Sequence, residues 1–408
     1  MKKQEYTPSK KVLEKYADVL VNFALGGGAG IKKGEVVNVV VYEYAKELLL
    51  EVRRAIWKAG GHVLTDYRPD SGDRMPFDRD FYTRASPEQI KYFPSKYLKG
   101  LIDEIDHTMF LISETDKNAL KGINPQKMLK RGVAFQPFME WRNEKENRGK
   151  YTWTIALYGT PAMAKEAGLS LKEYWDQIIK ACYLDKKDPV AEWKKVYKQI
   201  EGTRAKLNKL PIEKLHVEGK DVDLWVLLGE NKRWMGGSGR NIPSFELFTS
   251  PDWRGTEGWI RFNQPLYRYG NIIKGIELWF EKGKVVKSKA TQNEKLLKEM
   301  IKTEGADKIG EYSLTDRRHS RITKFMAETL FDENVGGAEG NTHLALGNSY
   351  HDCYDGDPSK PSKKEWKRLG FNDSSVHTDI ISTTKRKVTA HLVNGSERVI
   401  YKDGQFTL

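Results

Sequence analysis

The stretch Val36-Val37-Asn38-Val39-Val40-Val41 decides the fold of the first half of this chain of 408 residues. Its run of β-branched residues is typical of a buried strand. The pattern that follows predicts a helix over residues 45–59, which Gly60-Gly61 ends, and a second strand at His62-Val63-Leu64-Thr65-Asp66-Tyr67. A strand, a helix and a second strand at this spacing predict a βαβ unit, and therefore a parallel sheet with a right-handed crossover.

The α/β pattern continues on both sides of this unit. Residues 9–25 carry apolar side chains at helical spacing, and Gly26-Gly27-Gly28 ends that helix. These glycines precede a strand, whereas a dinucleotide-binding loop follows a strand and opens a helix, so we interpret them as a helix end. We also predict strands at residues 107–113 and 151–158, and a long helix at residues 190–210.

The pattern changes after residue 210. Residues 215–229 predict a β-hairpin, and further short strands alternate with Gly and Asn turns up to residue 401. We therefore predict an α/β N-terminal domain with a parallel sheet, residues 1–208. A strand-rich α+β catalytic domain is predicted to follow it over residues 209–408.

The composition narrows the class of protein and its compartment. The formal net charge is +13, from 69 Lys and Arg against 56 Asp and Glu, but the charges are interspersed along helical stretches, which disfavours a nucleic-acid partner. No apolar run is long enough for a membrane span, and the polar segment Met1-Lys2-Lys3-Gln4-Glu5 does not resemble a signal peptide. Only 2 Cys are present, neither in a Cys-x-x-Cys pair, and we therefore expect a cytoplasmic protein without disulfides.

Acidic and imidazole side chains in the second half form a candidate metal site. Carboxylate oxygen and imidazole nitrogen are the ligands that divalent metals such as zinc and manganese prefer. His377 and Asp379 are two residues apart, which places both side chains on one face of a strand. Any single Glu or His is more often a surface or core residue than a ligand. The candidate ligands are Glu246, Glu311, His343, His377 and Asp379.

Four segments, in this order, resemble the thermophilic metalloaminopeptidase family of the aminopeptidase T and aminopeptidase S type. The first segment, residues 241–251, matches Asn-x-Pro-x-x-Glu-x-Phe-x-x-Pro, and the second is a Gly-Glu pair at residues 310–311. The third, residues 343–350, matches His-x-Ala-Leu-Gly-x-x-Tyr, and the last is His-x-Asp at residues 377–379. Weaker matches in the N-terminal half extend the resemblance over most of the chain.

The resemblance implies a metal-dependent aminopeptidase that releases N-terminal amino acids from peptides with a free N-terminus. Two divalent ions (Co, Zn, Mn or Mg) are then expected to activate a water, with Glu311 as the bridging and catalytic carboxylate. Tyr350 is expected to donate a hydrogen bond to the tetrahedral oxyanion, although a packed ring is an equally good explanation for this residue. The resemblance also implies a homodimer.

Two features depart from the family pattern and keep other functions open. Phe245 stands where a glycine is usual, and a glycine-rich linker after Phe331-Asp332-Glu333-Asn334 is longer than expected, so either Glu333 or Glu339, or neither, supplies a further ligand. A non-catalytic homologue that binds peptides or serves in assembly is one alternative. A metal-dependent phosphoesterase, which the net charge of +13 would suit, is another.

Overall fold

A computed structural model describes residues 6–72, 75–237 and 239–408. The polar N-terminal segment, residues 1–5, on which the signal-peptide argument depends, lies outside these residues. Within the described ranges, none of the helices combines the length and apolar character that crossing a bilayer requires.

Helices dominate the first half of the chain and strands dominate the second. The α-helices are α1 Lys10–Val19, α2 Lys46–Lys58, α3 Phe77–Arg84, α4 Pro87–Lys91, α5 Ser95–Glu104, α6 Pro125–Ala134, α7 Gln136–Asn147, α8 Pro161–Glu166, α9 Leu171–Ala181, α10 Pro189–Asn208, α11 Glu294–Ile301, α12 Thr329–Asp332 and α13 Lys363–Arg368. The strands are β1 Val36–Tyr42, β2 His62–Arg68, β3 His107–Ile112, β4 Thr152–Leu157, β5 Ile212–Gly219, β6 Val222–Leu227, β7 Met235–Gly236, β8 Asn241–Ile242, β9 Glu246–Thr249, β10 Glu257–Arg261, β11 Leu266–Arg268, β12 Asn271–Ile273, β13 Glu277–Glu281, β14 Lys284–Lys289, β15 Ile309–Thr315, β16 Asn341–Gly347, β17 His377–Ser382, β18 Arg386–Leu392, β19 Glu397–Lys402 and β20 Gln405–Phe406.

A parallel sheet in the order β2-β1-β3-β4-β8 forms the first half of the protein. β1 pairs in parallel with β2 and β3, and its residues Val37, Val39 and Val41 are fully buried. Helix α2 connects β1 to β2, so the predicted βαβ unit is present. The last strand of the sheet, β8, comes from the second half of the chain and pairs in parallel with β4.

Two antiparallel sheets form most of the second half. One has the order β14-β13-β10-β6-β5-β18-β19-β20, and the other, which we call the site sheet, has the order β17-β16-β15-β9-β7. All residues of β15 and β16 are buried, because these strands lie at the centre of the site sheet. The predicted fold class, an α/β half with a parallel sheet followed by a strand-rich half, is therefore confirmed.

The three helices predicted from the sequence, at residues 9–25, 45–59 and 190–210, are found in α1, α2 and α10. Ser9 and Ser86 cap α1 and α4, since each side chain accepts a hydrogen bond from a first-turn backbone N–H. Helices α6 and α7 were not predicted. The boundary at residue 208 coincides with the end of α10. It stays a prediction, because β8 crosses into the first sheet.

An aromatic cluster next to the site sheet encloses a lysine. The Nζ atom of Lys232 lies 3.1 Å from the centroid of the Phe371 ring and has no hydrogen-bond partner among the described residues. Trp366 packs against Phe371 in the same cluster. Burial lowers the pKa of Lys232 to about 7, because an ammonium ion loses hydration there.

We expect Lys232 to make the stability of the protein depend on pH. Between pH 7 and about 10 the unfolded lysine holds its proton while the folded one releases it, so the free energy of unfolding rises with pH. In Lys232→Met this rise is reduced and the stability at pH 7 increases by about 2 kcal/mol. Denaturant unfolding at several pH values measures both. The exposed Lys367→Met is the control, and an unchanged pH slope in Lys232→Met contradicts the prediction.

Candidate functional site

Adjacent strands of the site sheet bring the predicted ligands together. Glu246 begins β9, Glu311 lies on β15, His343 lies on β16, and His377 and Asp379 lie on β17. Because antiparallel neighbours pair side by side, residues more than 130 positions apart in the chain meet on one face of the sheet. The alternation of side chains on β17 places His377 and Asp379 on the same face, as predicted.

Backbone features at two glycines set the position of the ligands. The pairing of β15 with β16 shifts register between Ile309 and Glu311, and such a bulge redirects the side chain that follows it. A side chain at Gly310 would collide with the backbone of residues 347–348, and one at Gly347 would collide with the backbone of Val376. The glycine beside Glu311 and the glycine that ends β16 therefore allow three backbone segments to approach closely.

Glu311 lies at the centre of the cluster and contacts both imidazoles. Its Oε1 atom is 3.3 Å from Nε2 of His343, and its Oε2 atom is 3.3 Å from Nε2 of His377. Nε2 of His343 is also 3.2 Å from Oε2 of Glu246, and Nε2 of His377 is 3.4 Å from Oδ1 of Asp379. A carboxylate between two separate groups of ligands has the geometry of a bridge.

Hydrogen bonds from neighbouring residues hold these side chains in place. Ser313 donates a hydrogen bond of 2.7 Å from its Oγ atom to Glu246. Nδ1 of His377 lies 2.8 Å from the carbonyl oxygen of Asn348. Because a carbonyl can only accept, Nδ1 carries the proton, and in the neutral imidazole the lone pair of Nε2 faces the cluster.

Burial and mutual repulsion shift the protonation of the cluster. Burial, together with nearby carboxylates, raises the pKa of Glu246 to about 7. Burial alone would also raise the pKa of Glu311, but hydrogen bonds from the two histidines hold it below its usual value. Against the effect of burial, neighbouring carboxylates raise the pKa of His343 to about 9.

The donor set fits divalent metal ions. Three combinations of these side chains place their ligand atoms within 4.8 Å of one another: Glu246, Glu311 and His343; Glu311, His377 and Asp379; and Glu333, His343 and Asp379. Among the described residues, Nδ1 of His343 and Oδ1 of Asp379 are buried without a hydrogen-bond partner. The side chains enclose a cavity of about 40 Å³, which is room for small ions or a water.

The two acidic residues of the glycine-rich segment have different surroundings. Glu333 is buried at the cluster, where it accepts a hydrogen bond of 2.9 Å from Nδ2 of Asn241, and burial with the neighbouring carboxylates raises its pKa well above the usual value. Glu339 lies near Lys385 instead, whose pKa is raised mainly by Asp403 and to a lesser degree by Glu339. The geometry thus favours Glu333 over Glu339 as a further ligand.

The unexpected phenylalanine does not obstruct the cluster. The ring of Phe245 stacks on Trp193 of α10, with centroids 5.4 Å apart and an interplanar angle of 16°. Its backbone N–H donates a hydrogen bond of 2.6 Å to Oδ1 of Asn334. Phe245 therefore packs into the core beside the site, and the change from glycine leaves the ligand positions intact.

Tyr350 borders the cluster beside a buried arginine. Its ring centroid lies 4.8 Å from that of His377 and 5.4 Å from Cζ of Arg240. The guanidinium group of Arg240 forms ion pairs with Glu146 of α7, at 2.6 Å, and with Asp352. Sequence analysis identified neither carboxylate, because the partners are more than 90 residues from Arg240 and no motif connects them.

A larger cavity adjoins the cluster. It has a volume of about 460 Å³, within the range of small-molecule sites. Trp153, Arg240, Tyr350 and His377 line both this cavity and the small one around the carboxylates. We call the larger one the outer cavity. Substrate-sized molecules can thus lie beside the metal-binding candidates.

Comparisons with known proteins agree with this arrangement. The sequence profile of the thermophilic metalloprotease family M29 matches residues 9–406. Aminopeptidase PepS of Streptococcus thermophilus is 28% identical, over 98% of this chain and 98% of its own length. Aminopeptidase T of Thermus aquaticus is 30% identical, over 73% of this chain and 76% of its own length.

A solved structure extends the agreement to the fold. Wild-type AmpT from Thermus thermophilus matches with a TM-score of 0.81 and 24% identity, over 98% of this chain and 100% of that one. The resemblance inferred from the four motifs is confirmed, and so is the enzyme class, a metal-dependent peptidase. This chain belongs to the thermophilic metalloprotease family M29.

Proposed function

We propose that this protein is an aminopeptidase that removes N-terminal residues from peptides with the help of two divalent cations. The observation that carries the proposal is the cluster of Glu246, Glu311, His343, His377 and Asp379, in which the first three are buried and the last two half-buried, and which opens onto the outer cavity. The relatives with the same overall length are named aminopeptidases, which supports the choice of substrate.

The cations would be shared between two groups of ligands. Glu246 and His343 belong to one group, His377 and Asp379 to the other, and Glu311 contacts the imidazole of each. Glu333 is the candidate for an additional ligand near His343. Bound cations supply a Lewis acid for the scissile carbonyl and lower the pKa of water.

The side chains of this protein position the substrate and move protons. Glu311 lies between the imidazoles, where it can accept a proton from an attacking water. Tyr350 is the candidate donor to the oxyanion, because it borders both cavities and its ring packs within 5.4 Å of Cζ of Arg240. A bound cation would also take the free α-amine of a peptide as a ligand, which favours cleavage at the N-terminus.

The alternative functions have weaker support. The full set of candidate ligands argues against a non-catalytic homologue, and Phe245 leaves that set undisturbed. For a phosphoesterase, a free cation lining the small cavity around the carboxylates would be expected, but Arg240, which lines it, is already paired with two carboxylates. We further propose a cytoplasmic homodimer, with the two buried free cysteines, Cys182 and Cys353, as support for a reducing compartment. Cobalt, zinc, manganese and magnesium all suit the ligand types.

We expect the activity to depend on both metal and Glu311. The purified protein should hold about two metals per chain and hydrolyse leucyl p-nitroanilide, and chelation should abolish the activity until metal is restored. Glu311→Gln should reduce kcat by about 100-fold or more while the protein keeps its thermal transition. Glu281→Gln, which changes an exposed glutamate on β13, is the matched control. Metal without peptidase activity in the wild type would contradict the proposal.

Glu333 and Glu339 give contrasting variants for the metal site. Without metal, Glu333→Gln should raise the melting temperature, because it removes one buried carboxylate from a repelling group. At a metal concentration a hundredfold above the Kd of the wild type, the metal should stabilise the wild type by about 2.7 kcal/mol, and it should stabilise Glu333→Gln by less. Glu339→Gln should behave like the wild type in thermal unfolding with and without metal. Equal metal effects in all three proteins would exclude Glu333 as a ligand.

Tyr350→Phe separates a catalytic role from a packing role. Loss of a hydrogen bond made only in the transition state should lower kcat by about 100-fold and leave KM nearly unchanged. Tyr354→Phe is the control, since Tyr354 packs on Trp366 and lines neither cavity. Full activity in Tyr350→Phe would show that the ring only packs.

A further inference from the structure

The wall of the outer cavity carries an arginine without an acidic partner. Among the described residues, no carboxylate lies within ion-pair distance of Arg142, although Glu146 is one helical turn away on α7. The two lining carboxylates, Glu146 and Asp352, are both held by Arg240. His351 adds no positive charge near neutral pH, because burial lowers its pKa to about 4.

Apolar surface surrounds this guanidinium group. Its Cζ atom lies 5.5 Å from the ring centroid of Tyr151, and Nη1 is 3.7 Å from Sδ of Met139. Its Nε atom is buried and has no hydrogen-bond partner among the described residues. Phe110 and Trp153 also line the cavity. Because Arg142 lines the cavity, its Nη donors, which no anion occupies, are the ones that a ligand there can satisfy.

We propose that Arg142 binds a carboxylate group of the peptide substrate in the outer cavity. A guanidinium group can donate two parallel hydrogen bonds to a carboxylate, and the low polarity of the walls strengthens the pair. This inference rests on the proposed aminopeptidase function, for which it defines the substrate class. The outer cavity meets the candidate metal ligands at Tyr350 and His377, so one small peptide can contact both regions.

Two parts of a peptide can supply the carboxylate. One is the acidic side chain of a first residue such as glutamate, and the other is the C-terminal carboxylate of a dipeptide. The cavity volume of about 460 Å³ accommodates either molecule. The first source gives a preference for acidic N-terminal residues, and the second gives a preference for very short peptides.

Kinetics of the metal-loaded enzyme test the proposal with four substrates. Glutamyl p-nitroanilide and leucyl p-nitroanilide differ in the side-chain carboxylate, whereas leucyl-leucine and leucyl-leucinamide differ in the C-terminal carboxylate. Arg142→Met should lower kcat/KM by about 10- to 100-fold for one carboxylate-bearing substrate and leave its neutral counterpart unchanged. The affected pair identifies the source. Arg142→Lys, which keeps the charge without the planar fork, should show a smaller loss.

A matched control separates recognition from packing. Arg53 also lies over an aromatic ring, 5.0 Å from Trp57, with its Nε atom unbonded among the described residues, and it lines neither of these two cavities. Arg53→Met should leave all four rates unchanged. Equal losses on all substrates in Arg142→Met, or no loss at all, would overturn the proposal.

Binding of free amino acids distinguishes failure of this inference from failure of the proposed function. In calorimetric titrations of the metal-loaded protein, L-glutamate should bind more tightly than its neutral counterpart L-glutamine if the side chain is the source. For the C-terminal carboxylate, the metal-loaded Glu311→Gln variant is titrated with leucyl-leucine and leucyl-leucinamide, with and without Arg142→Met. Arg142→Met should abolish the difference in affinity.

A wild type that hydrolyses no substrate but shows this difference in affinity keeps the carboxylate site and loses the aminopeptidase function. Hydrolysis of all four substrates without any effect of Arg142→Met on rates or binding keeps the aminopeptidase function and overturns the carboxylate site.

Discussion

Repulsion among buried carboxylates is the constraint on which the rest of the structure depends. Four acidic side chains meet two imidazoles: Glu246, Glu311, Glu333 and Asp379 against His343 and His377. Were all four carboxylates ionised, two protonated imidazoles would still leave an excess of two negative charges, and burial with this repulsion raises the pKa of Glu246 and of Glu333. Charges of one sign interact strongly where water is excluded, and removing ions from water is costly in itself. Bound divalent cations provide the compensation that the histidines cannot.

The sheets hold this repelling group together by backbone pairing. Strands β9, β15, β16 and β17 hydrogen-bond side by side, so the separation of the side chains is set by the sheet and cannot relax without breaking the ladder. β8 ties the same segment of chain to the parallel sheet through its pairing with β4. Arg240 directly precedes β8. Through its two ion pairs, it connects α7 to the loop that carries Tyr350. The candidate site is thus supported by both halves of the protein.

The parts of the fold that could be predicted depend on local chemistry. Ser9 and Ser86 satisfy backbone donors within one helical turn, and a strand of valines in a parallel sheet is apolar on both faces. The pair His377 and Asp379 could be placed on one face because side chains alternate along a strand. These signals act over a few residues and do not require knowledge of the rest of the chain.

The parts that could not be predicted depend on tertiary contacts. Helix α7 has no fully buried residue, because it lies partly over the outer cavity, and its apolar periodicity is correspondingly weak. The choice between Glu333 and Glu339 depended on how a glycine-rich segment folds back, which residue spacing does not determine. Family resemblance supplied the ordered ligand set, but it said nothing about the partners of Arg240 or about Arg142.

The two cavities offer different charged groups to a peptide, and this would affect how the peptide is oriented. Carboxylates dominate the small cavity around Glu311, where bound cations would balance them, whereas the outer cavity carries the guanidinium group of Arg142, which has no acidic partner among the described residues. A small peptide is itself dipolar, with a positive amine at one end and a carboxylate at another position. A bound cation can take the amine as a ligand, and Arg142 can pair with the carboxylate, so these groups favour one orientation of such a molecule over its reverse. In the proposed orientation the amine lies in the small cavity and the first peptide bond lies near Glu311 and Tyr350.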